Sequence, residues 1–360
     1  MKTISNFSLN RLNNIKKSKD NLLKFINNFC KEKSYNFFLK SVSKKLNIPM
    51  NYLENQTKIY LFLNFINKKG TFNNKFRKIF LFKDSFFFLF KYLYIYLISK
   101  RKYFTKNYEL IIDDVDKHSN TKKFHNLTKK FKTIFFSTVK QSEWQFIDLK
   151  KKYNIFKFER YKHCIKDTDI KNNIFIIFQL FFTTLAGSLR NKNNLFPIID
   201  NFYKNYLIYE SLFKQVRAKY LIQERHYNSN EIRNYLFKKN GGICCAITQK
   251  NILQLNGPGM FIFTDILFTL GTKSAEDLEI LGGKVKKKVP VGSLAMEYSY
   301  HEMKKKVKNN VKKYDLIVLC SDNLAPFHSG YESYYHDFYE HYRWIYKFAK
   351  KFPQVSIGLK

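Results

Sequence analysis

Glycine and alanine are scarce in this chain, and unevenly spread. Its 360 residues include 12 Gly and seven Ala; every Ala lies at or beyond Ala186, and Gly70 alone among the glycines precedes Gly187. Proline is rarer still, at six, which excludes collagen-like and proline-rich architectures. The five cysteines, Cys30, Cys164, Cys244, Cys245 and Cys320, form no CxxC pair, so neither a zinc knuckle nor a thioredoxin-type motif is present. An odd, scattered set of this kind points to reduced thiols in a reducing compartment. Acidic residues are also short, 28 against 65 Lys+Arg. No uninterrupted apolar run reaches the roughly 20 residues needed to cross a bilayer. The most apolar window, Ser85 to Ile98, carries Lys91 inside it and reads as a buried helix or strand, with a membrane span as the alternative.

What remains is aromatic and basic. There are 38 Phe and 25 Tyr, and hydrophobic residues make up 45%, enough for a packed core. Phe, Tyr, Lys, Asn and Ile have AT-rich codons. The composition therefore fits a genome under AT pressure, such as an organelle or a parasite. In that setting Gly and Ala persist where a turn, tight packing or a close approach demands them. The net charge of +37 calls for an anionic partner, nucleic acid first and an anionic membrane surface second. The charge runs the length of the chain. Residues 1–170 carry 37 basic and 13 acidic groups, and residues 171–360 carry 28 and 15.

Along the chain, Asn21–Phe29, Tyr35–Leu46 and Tyr60–Phe65 are short amphipathic helix candidates. Residues 113–133 are polar, with an acidic cluster followed by a basic one, and read as a linker; a domain boundary is expected near Asp167–Asn173. Ile174 to Leu189 is an apolar helix, followed by a basic turn at Arg190–Asn194. A second helix, Leu195–Gln215, has Pro197 in its first turn, where proline is tolerated. Gly241-Gly242 and Gly257-Pro258-Gly259 break the chain around a short apolar run. Met260–Leu270 is expected as another apolar helix.

Residues 278–291, LEILGGKVKKKVPV, have the two-glycine signal of a β-hairpin with its turn at Gly282 and Gly283. Period-two geometry puts Lys284, Lys286 and Lys288 on one face of the ribbon, and Val285, Lys287, Val289 and Val291 on the other. A plain solvated edge, with lysines that deter aggregation, explains the same pattern. A helix is expected over Ser293–Asn309 with Lys304 and Lys305 at its basic end. The last helix, Tyr331–Lys351, carries Arg343 and Lys347 beside an apolar stripe that includes Tyr342 and Ile345.

Leu281-Gly282-Gly283, Val289-Pro290-Val291, Leu294-Ala295-Met296 and Phe338-Tyr339-Glu340-His341-Tyr342-Arg343-Trp344 fall in one order. Together they resemble ribosomal protein seven of the small subunit, over about residues 172–350. The resemblance implies a mainly α fold, a helical bundle with a protruding basic β-hairpin, beside a long, mostly helical N-terminal extension. It implies three segments: residues 1–170 as the extension, 171–352 as the helical domain with an insert at 215–260 and a hairpin at 277–291, and 353–360 as a tail. It further implies a structural constituent of the mitochondrial small ribosomal subunit, organelle-encoded and resident in the matrix. The expected partners are the 3′ major domain of small-subunit rRNA, neighbouring ribosomal proteins of the head and platform, and transiently exit-site tRNA and mRNA. Arg190, Lys192, Lys284, Lys286, Lys287, Lys288, Lys304, Lys305, Arg343 and Lys347 would contact rRNA. Lys284, Lys286, His341 and Trp344 would lie near tRNA or mRNA. Two other readings stand beside it: a lineage-specific mitochondrial ribosomal or RNA-binding protein of another family, and a structural subunit of an inner-membrane complex.

Catalysis, a cofactor, a metal site and a small-molecule substrate are not expected. His301-Glu302 begins like a zinc motif, but Lys305 stands where its second His belongs. Gly271-Thr272-Lys273-Ser274 ends like a phosphate-binding loop, but Ile266 stands where its first Gly belongs.

Overall fold

The computed structural model describes residues 21–67, 81–99, 104–115, 119–137, 139–145, 147–148, 150–157, 164, 170–224, 229–248, 261–273, 276, 284–306, 314–318 and 335–359. It is mainly helical, with a seven-stranded parallel sheet. Contacts divide the chain into two units: residues 26–63 with 73–298, and residues 1–25, 64–72 and 299–360.

The larger unit holds most of helix α1 (residues 21–31), α2 (Lys33–Leu46), α3 (Met50–Asn67) up to Leu63, and α4 (Leu81–Ile98). A short strand β1 (Lys106–Asn107) leads to β2 (Leu110–Val115), a helical stretch at Thr121–Phe124 running into α5 (His125–Lys130), β3 (Thr133–Ser137) and β4 (Asn154–Lys157). Two long helices follow, α6 (Ile170–Asn191) and α7 (Phe196–Gln215). Then come β5 (Val216–Arg217), β6 (Tyr220–Gln223), α8 (Glu231–Lys239), β7 (Ile243–Ile247), β8 (Phe263–Thr269), β9 (Lys284–Pro290) and α9 (Leu294–Lys306), whose latter part belongs to the second unit.

Seven strands form one sheet in the order β4-β3-β2-β6-β7-β8-β9, and every neighbouring pair is parallel. From β2 the chain steps outward one way to β3 and β4. After α6 and α7 it returns to the other side of β2 and steps outward through β6, β7, β8 and β9. The order therefore reverses between β2 and β6, and helices cover both faces. On one face Phe124, Trp144 and Tyr153 pack on Phe135 of β3, with Ile112, Ile222 and Cys245 in the same cluster. On the other, Phe136 meets Phe213 of α7, and Arg233 of α8 meets Asp113 and Gln223. This is a doubly wound arrangement, in which crossover helices wrap a sheet that is apolar on both sides.

Burial on both faces explains where the sequence reading departs from the fold. Phe263–Thr269, expected within a helix, is strand β8: a continuous apolar run suits a parallel strand as well as a buried helix. Residues 113–133, expected as a linker, hold the end of β2 and all of α5. The sheet takes strands from both sides of residue 170, so the expected boundary near Asp167–Asn173 does not separate two folding bodies. The second arm of the expected hairpin is β9, bonded in parallel to β8. Its alternation is that of an edge strand, Lys284, Lys286, Lys287 and Lys288 exposed and Val285 and Val289 half-buried. The first arm and the turn at Gly282 and Gly283 lie outside the described residues.

Ser85–Ile98 is helical, within α4. It buries Ser85, Phe88, Tyr92 and Ile95 and exposes Phe86, Phe90 and Tyr94. Helices α2 and α6 pack closely because Gly187 lets them: a Cβ there would sit 2.8 Å from the Phe38 ring. Asn191 receives the Ser34 hydroxyl at 2.5 Å, fixing the two helices antiparallel. At the α8–β7 turn Gly241 takes φ +82°, and Gly242 lies flat against the Phe237 ring, where a Cβ would be 2.3 Å away.

The smaller unit contains β10 (Leu316–Val318), helix α10 (Tyr335–Lys351) and β11 (Ile357–Leu359); β10 and β11 pair in parallel. Ile345 is buried on α10, while Tyr342, expected in the core, is 42% exposed.

Candidate functional site at the carboxyl edge of the sheet

All seven strands of the sheet point the same way, so their carboxyl ends form one edge. Asp113 ends one row there. Register carries that row to Gln223, Ala246, Leu267 and Lys288 on successive strands. Asp113 and Gln223 flank the point where the order reverses, and Arg233 of α8 lies across them. Its guanidinium donates to Asp113 Oδ2 at 2.7 Å, to Gln223 Oε1 and to Asn234 Oδ1 at 3.1 Å. Arg233 is 2% exposed. Burial alone would pull its pKa down, but the Asp113 carboxylate outweighs that and holds the guanidinium charged. Asn230 caps α8 by accepting from the Arg233 N–H at 3.0 Å.

A second ion pair closes over the same point. Lys123, on the helical stretch after β2, donates to Glu224 Oε1, just after β6, at 2.8 Å, with side chains 6% and 1% exposed. The two elements that leave the central strands are thus tied to each other across the reversal. Asn120 accepts from the Lys122 N–H at 3.2 Å and begins that helical stretch.

Two residues beyond the row of Asp113, Thr248 follows β7 and Thr269 ends β8. The Thr248 N–H donates to the Phe268 carbonyl at 2.9 Å, which makes the two threonines lateral neighbours on one face. They are 3% and 1% exposed, and among the described residues neither hydroxyl has a hydrogen-bond partner. A buried hydroxyl left unbonded costs about 1–3 kcal/mol, so two side by side at a strand edge mark a place for a polar ligand atom or bound water. Gly271 follows them with open space around it. Ile266, which stands where a Walker loop has its first Gly, is an interior residue of β8 packed on the core.

Glu231 holds α8 in place rather than facing a ligand. It takes the Ser229 hydroxyl at 2.5 Å and the Phe263 N–H at 3.1 Å, while its own N–H donates to Gln56 of α3 at 2.9 Å. Burial pushes its carboxyl up to about 7, against the pull of those donors and of Arg233 and Lys238. Cys244 and Cys245 on β7 are buried free thiols pushed up to about 12 by burial, so they are inert core residues.

The residues expected to touch RNA fall in separate places. Lys284 and Lys286 on β9 line a groove of about 510 Å³ with Tyr52, Phe263 and Lys238. In it Lys284 Nζ lies 5.3 Å from the Phe263 ring centre, and Lys286 and Lys238 share Asp265 at 2.9 and 3.2 Å. Burial raises the Asp265 pKa, but Lys286, the Cys244 N–H and Lys238 bring it below the usual carboxylate range. Lys287 and Lys288 are exposed on the same strand. Arg190 and Lys192 stand at the far end of α6; Arg190 stacks 5.1 Å from the Phe37 ring, and Lys192 takes a left-handed φ of +52°. Lys304, Lys305, His341, Arg343, Trp344 and Lys347 belong to the other unit, where Trp344 is 58% exposed and stacks on Phe348. Sequence reasoning missed the carboxyl edge. Its one available signal was the recurrence of short apolar runs ending in a polar residue, Ile111–Asp113, Leu221–Gln223, Ala246–Thr248 and Leu267–Thr269.

No family model, curated protein or solved structure matches the chain. The class is therefore given by geometry: a doubly wound parallel sheet with a polar carboxyl edge. Among the described residues no three metal-binding side chains gather.

Proposed function

We propose that the carboxyl edge of this sheet binds a nucleotide-type ligand, beside the reversal of strand order between β2 and β6 and over the ends of β7 and β8. The reversal carries the reading. In open parallel sheets ligands lie outside the carboxyl ends of the strands beside a switch point. Here Lys123–Glu224 closes the reversal itself, and the open places are the neighbouring ends of β7 and β8 with their unbonded threonines. The strands are about 4.8 Å apart, so a nucleoside diphosphate lying across the edge reaches from Asp113 on β2 to Thr269 on β8. Thr248 and Thr269 offer it hydroxyls, and the surplus of cations offsets its phosphates. The buried pairs Arg233–Asp113 and Lys123–Glu224 keep the edge rigid. The support is fold-level and physical; it names a ligand class and no reaction.

Thr248→Val and Thr269→Val together test it. Valine keeps the shape and removes the two hydroxyls, so the melting temperature should hold or rise. Titration of the full chain with fluorescent ADP, GDP and UDP should show saturable binding that weakens at least about tenfold in the double variant, the worth of one or two hydrogen bonds. No binding by the native chain, or equal binding by both proteins, ends the proposal.

A second reading keeps the resemblance: a structural, non-catalytic constituent of the mitochondrial small ribosomal subunit, bound to rRNA and to neighbours in the head and platform, near exit-site tRNA and mRNA. The groove beside β9 favours a polynucleotide, since it sets Lys238, Lys284 and Lys286 next to the rings of Tyr52 and Phe263. On this reading Lys284→Ala with Lys286→Ala flattens the salt dependence of RNA binding by about two phosphate contacts. An unchanged slope removes the groove from any such interface.

A further inference from the structure

Helices α4 and α6 bury matching sides and leave matching sides bare. Phe88 of α4 and Phe181 of α6 both pack on Phe196 of α7, at 5.9 and 5.8 Å between ring centres. The two helices also pack on each other, so they lie side by side, each with a side turned away from α7. On α4 that side carries Phe82, Phe86, Phe90 and Tyr94, four residues apart, each between 54% and 69% exposed. On α6 it carries Phe175, Phe182 and Leu189, each 60–65% exposed. At about 150–250 Å² per aromatic side chain, the bare apolar area is on the order of 800 Å². The largest patch on an ordinary monomer is about 300–600 Å².

One end of this face is ringed by cations. Helix α2 begins beside the end of α6, as the Ser34–Asn191 bond shows. Helix α4 begins there too, since Asn194 donates to Asp84 at 2.6 Å. Lys33, Lys83, Arg190 and Lys192 are all exposed at that end; the nearby acids are the exposed Glu32 and the Asp84 already held by Asn194.

We infer that this face lies flat on an anionic lipid bilayer, with the rings of α4 and α6 in the headgroup–acyl boundary and the four cations against lipid phosphates. The charge complementarity is direct: a chain of net +37 resists a second copy of itself on this face and is drawn to an acidic surface. Helix α6 has an 18-residue window, Ile174–Asn191, of mean hydropathy 1.3, long and apolar enough to cross a membrane, but a third of it is buried. Crossing would strip Gly187 from Phe38 and Asn191 from Ser34. Lying in the interface keeps both contacts and covers only what is bare.

Flotation of the full chain with vesicles of phosphatidylcholine, with and without phosphatidylserine, is the test. The native chain should float with the anionic vesicles and bind the neutral ones at least about tenfold more weakly. Phe86→Ser with Phe90→Ser alters exposed positions only, so it should keep the native melting temperature and reduce binding at least about tenfold. Phe90→Trp should add emission that brominated acyl chains quench. Absence of flotation, flotation that the double Ser variant leaves unchanged, or a self-associated form abolished by that variant would each overturn the proposal. Nucleotide binding at the sheet edge is scored separately and is indifferent to these substitutions.

Discussion

The sheet edge and the α4–α6 layer treat water in opposite ways. At the edge, charged groups are taken out of water and matched: Arg233 with Asp113, Lys123 with Glu224. In the helical layer, apolar rings are left in water, touching other rings of their own helix, as Phe86 does Phe90. A buried ion pair gains little net stability but is costly to break, so the edge is a place of fixed geometry. A bare ring costs the fold nothing to change, so the helical layer is free to be shaped by whatever it touches. Rigidity and adhesion have been placed on different parts of one unit.

The sharpest way to break that contrast is Arg233→Ala. It leaves Asp113 buried without its cation and should cost about 3–5 kcal/mol, read by denaturant unfolding. Phe90→Ser, by comparison, should move stability by less than about 0.5 kcal/mol. If the two cost the same, the contrast is illusory.

Next in size is the pH response of Glu231. Its folded pKa of about 7 lies above the ordinary 4.5, so the protonated acid favours folding. That contribution is complete below pH 4.5, declines as pH rises toward about 7 and is gone beyond it. The loss is on the order of 3 kcal/mol. Thermal melts of Glu231→Gln should lack this decline, and a parallel decline in both proteins would place it on another group.

Smallest is Lys286→Ala. Lys286 is 77% exposed and shares Asp265 with Lys238, so its loss should cost less than about 1 kcal/mol. A larger cost in an unfolding titration would mean that the rim of the sheet is as tightly matched as its edge.

Parts of this architecture were legible in the sequence. The two helices around Arg190–Asn194, the proline in the first turn of α7 and the last helix up to Lys351 follow from apolar spacing and stop signals. The scarcity of glycine also pointed correctly, since Gly187 and Gly242 sit where a methyl group would collide with a ring. The sheet was harder. Strands β2, β3, β6 and β7 are four to six residues long and buried on both faces, so they lack the alternation that identifies a strand. Among the described strands of the sheet, β9 at the rim shows the alternation that marks Lys284–Pro290 as extended. The edge site was invisible for a further reason. Asp113, Lys123, Gln223, Glu224, Arg233, Thr248 and Thr269 are ordinary residues in sequence, and strand order alone brings them together.

Strand order also sets a schedule. Strand β2 lies mid-sheet, and one of its two flanks waits for β6, which begins at Tyr220, some 105 residues later. At about 5–20 residues per second of synthesis, Leu110–Val115 spends roughly 5–20 seconds with a naked hydrogen-bonding side. During that interval α6 and α7 emerge, and the nascent half-sheet must be shielded by them or by a chaperone. Slow codons after Gln215 would prolong the exposure, and fast ones would shorten it.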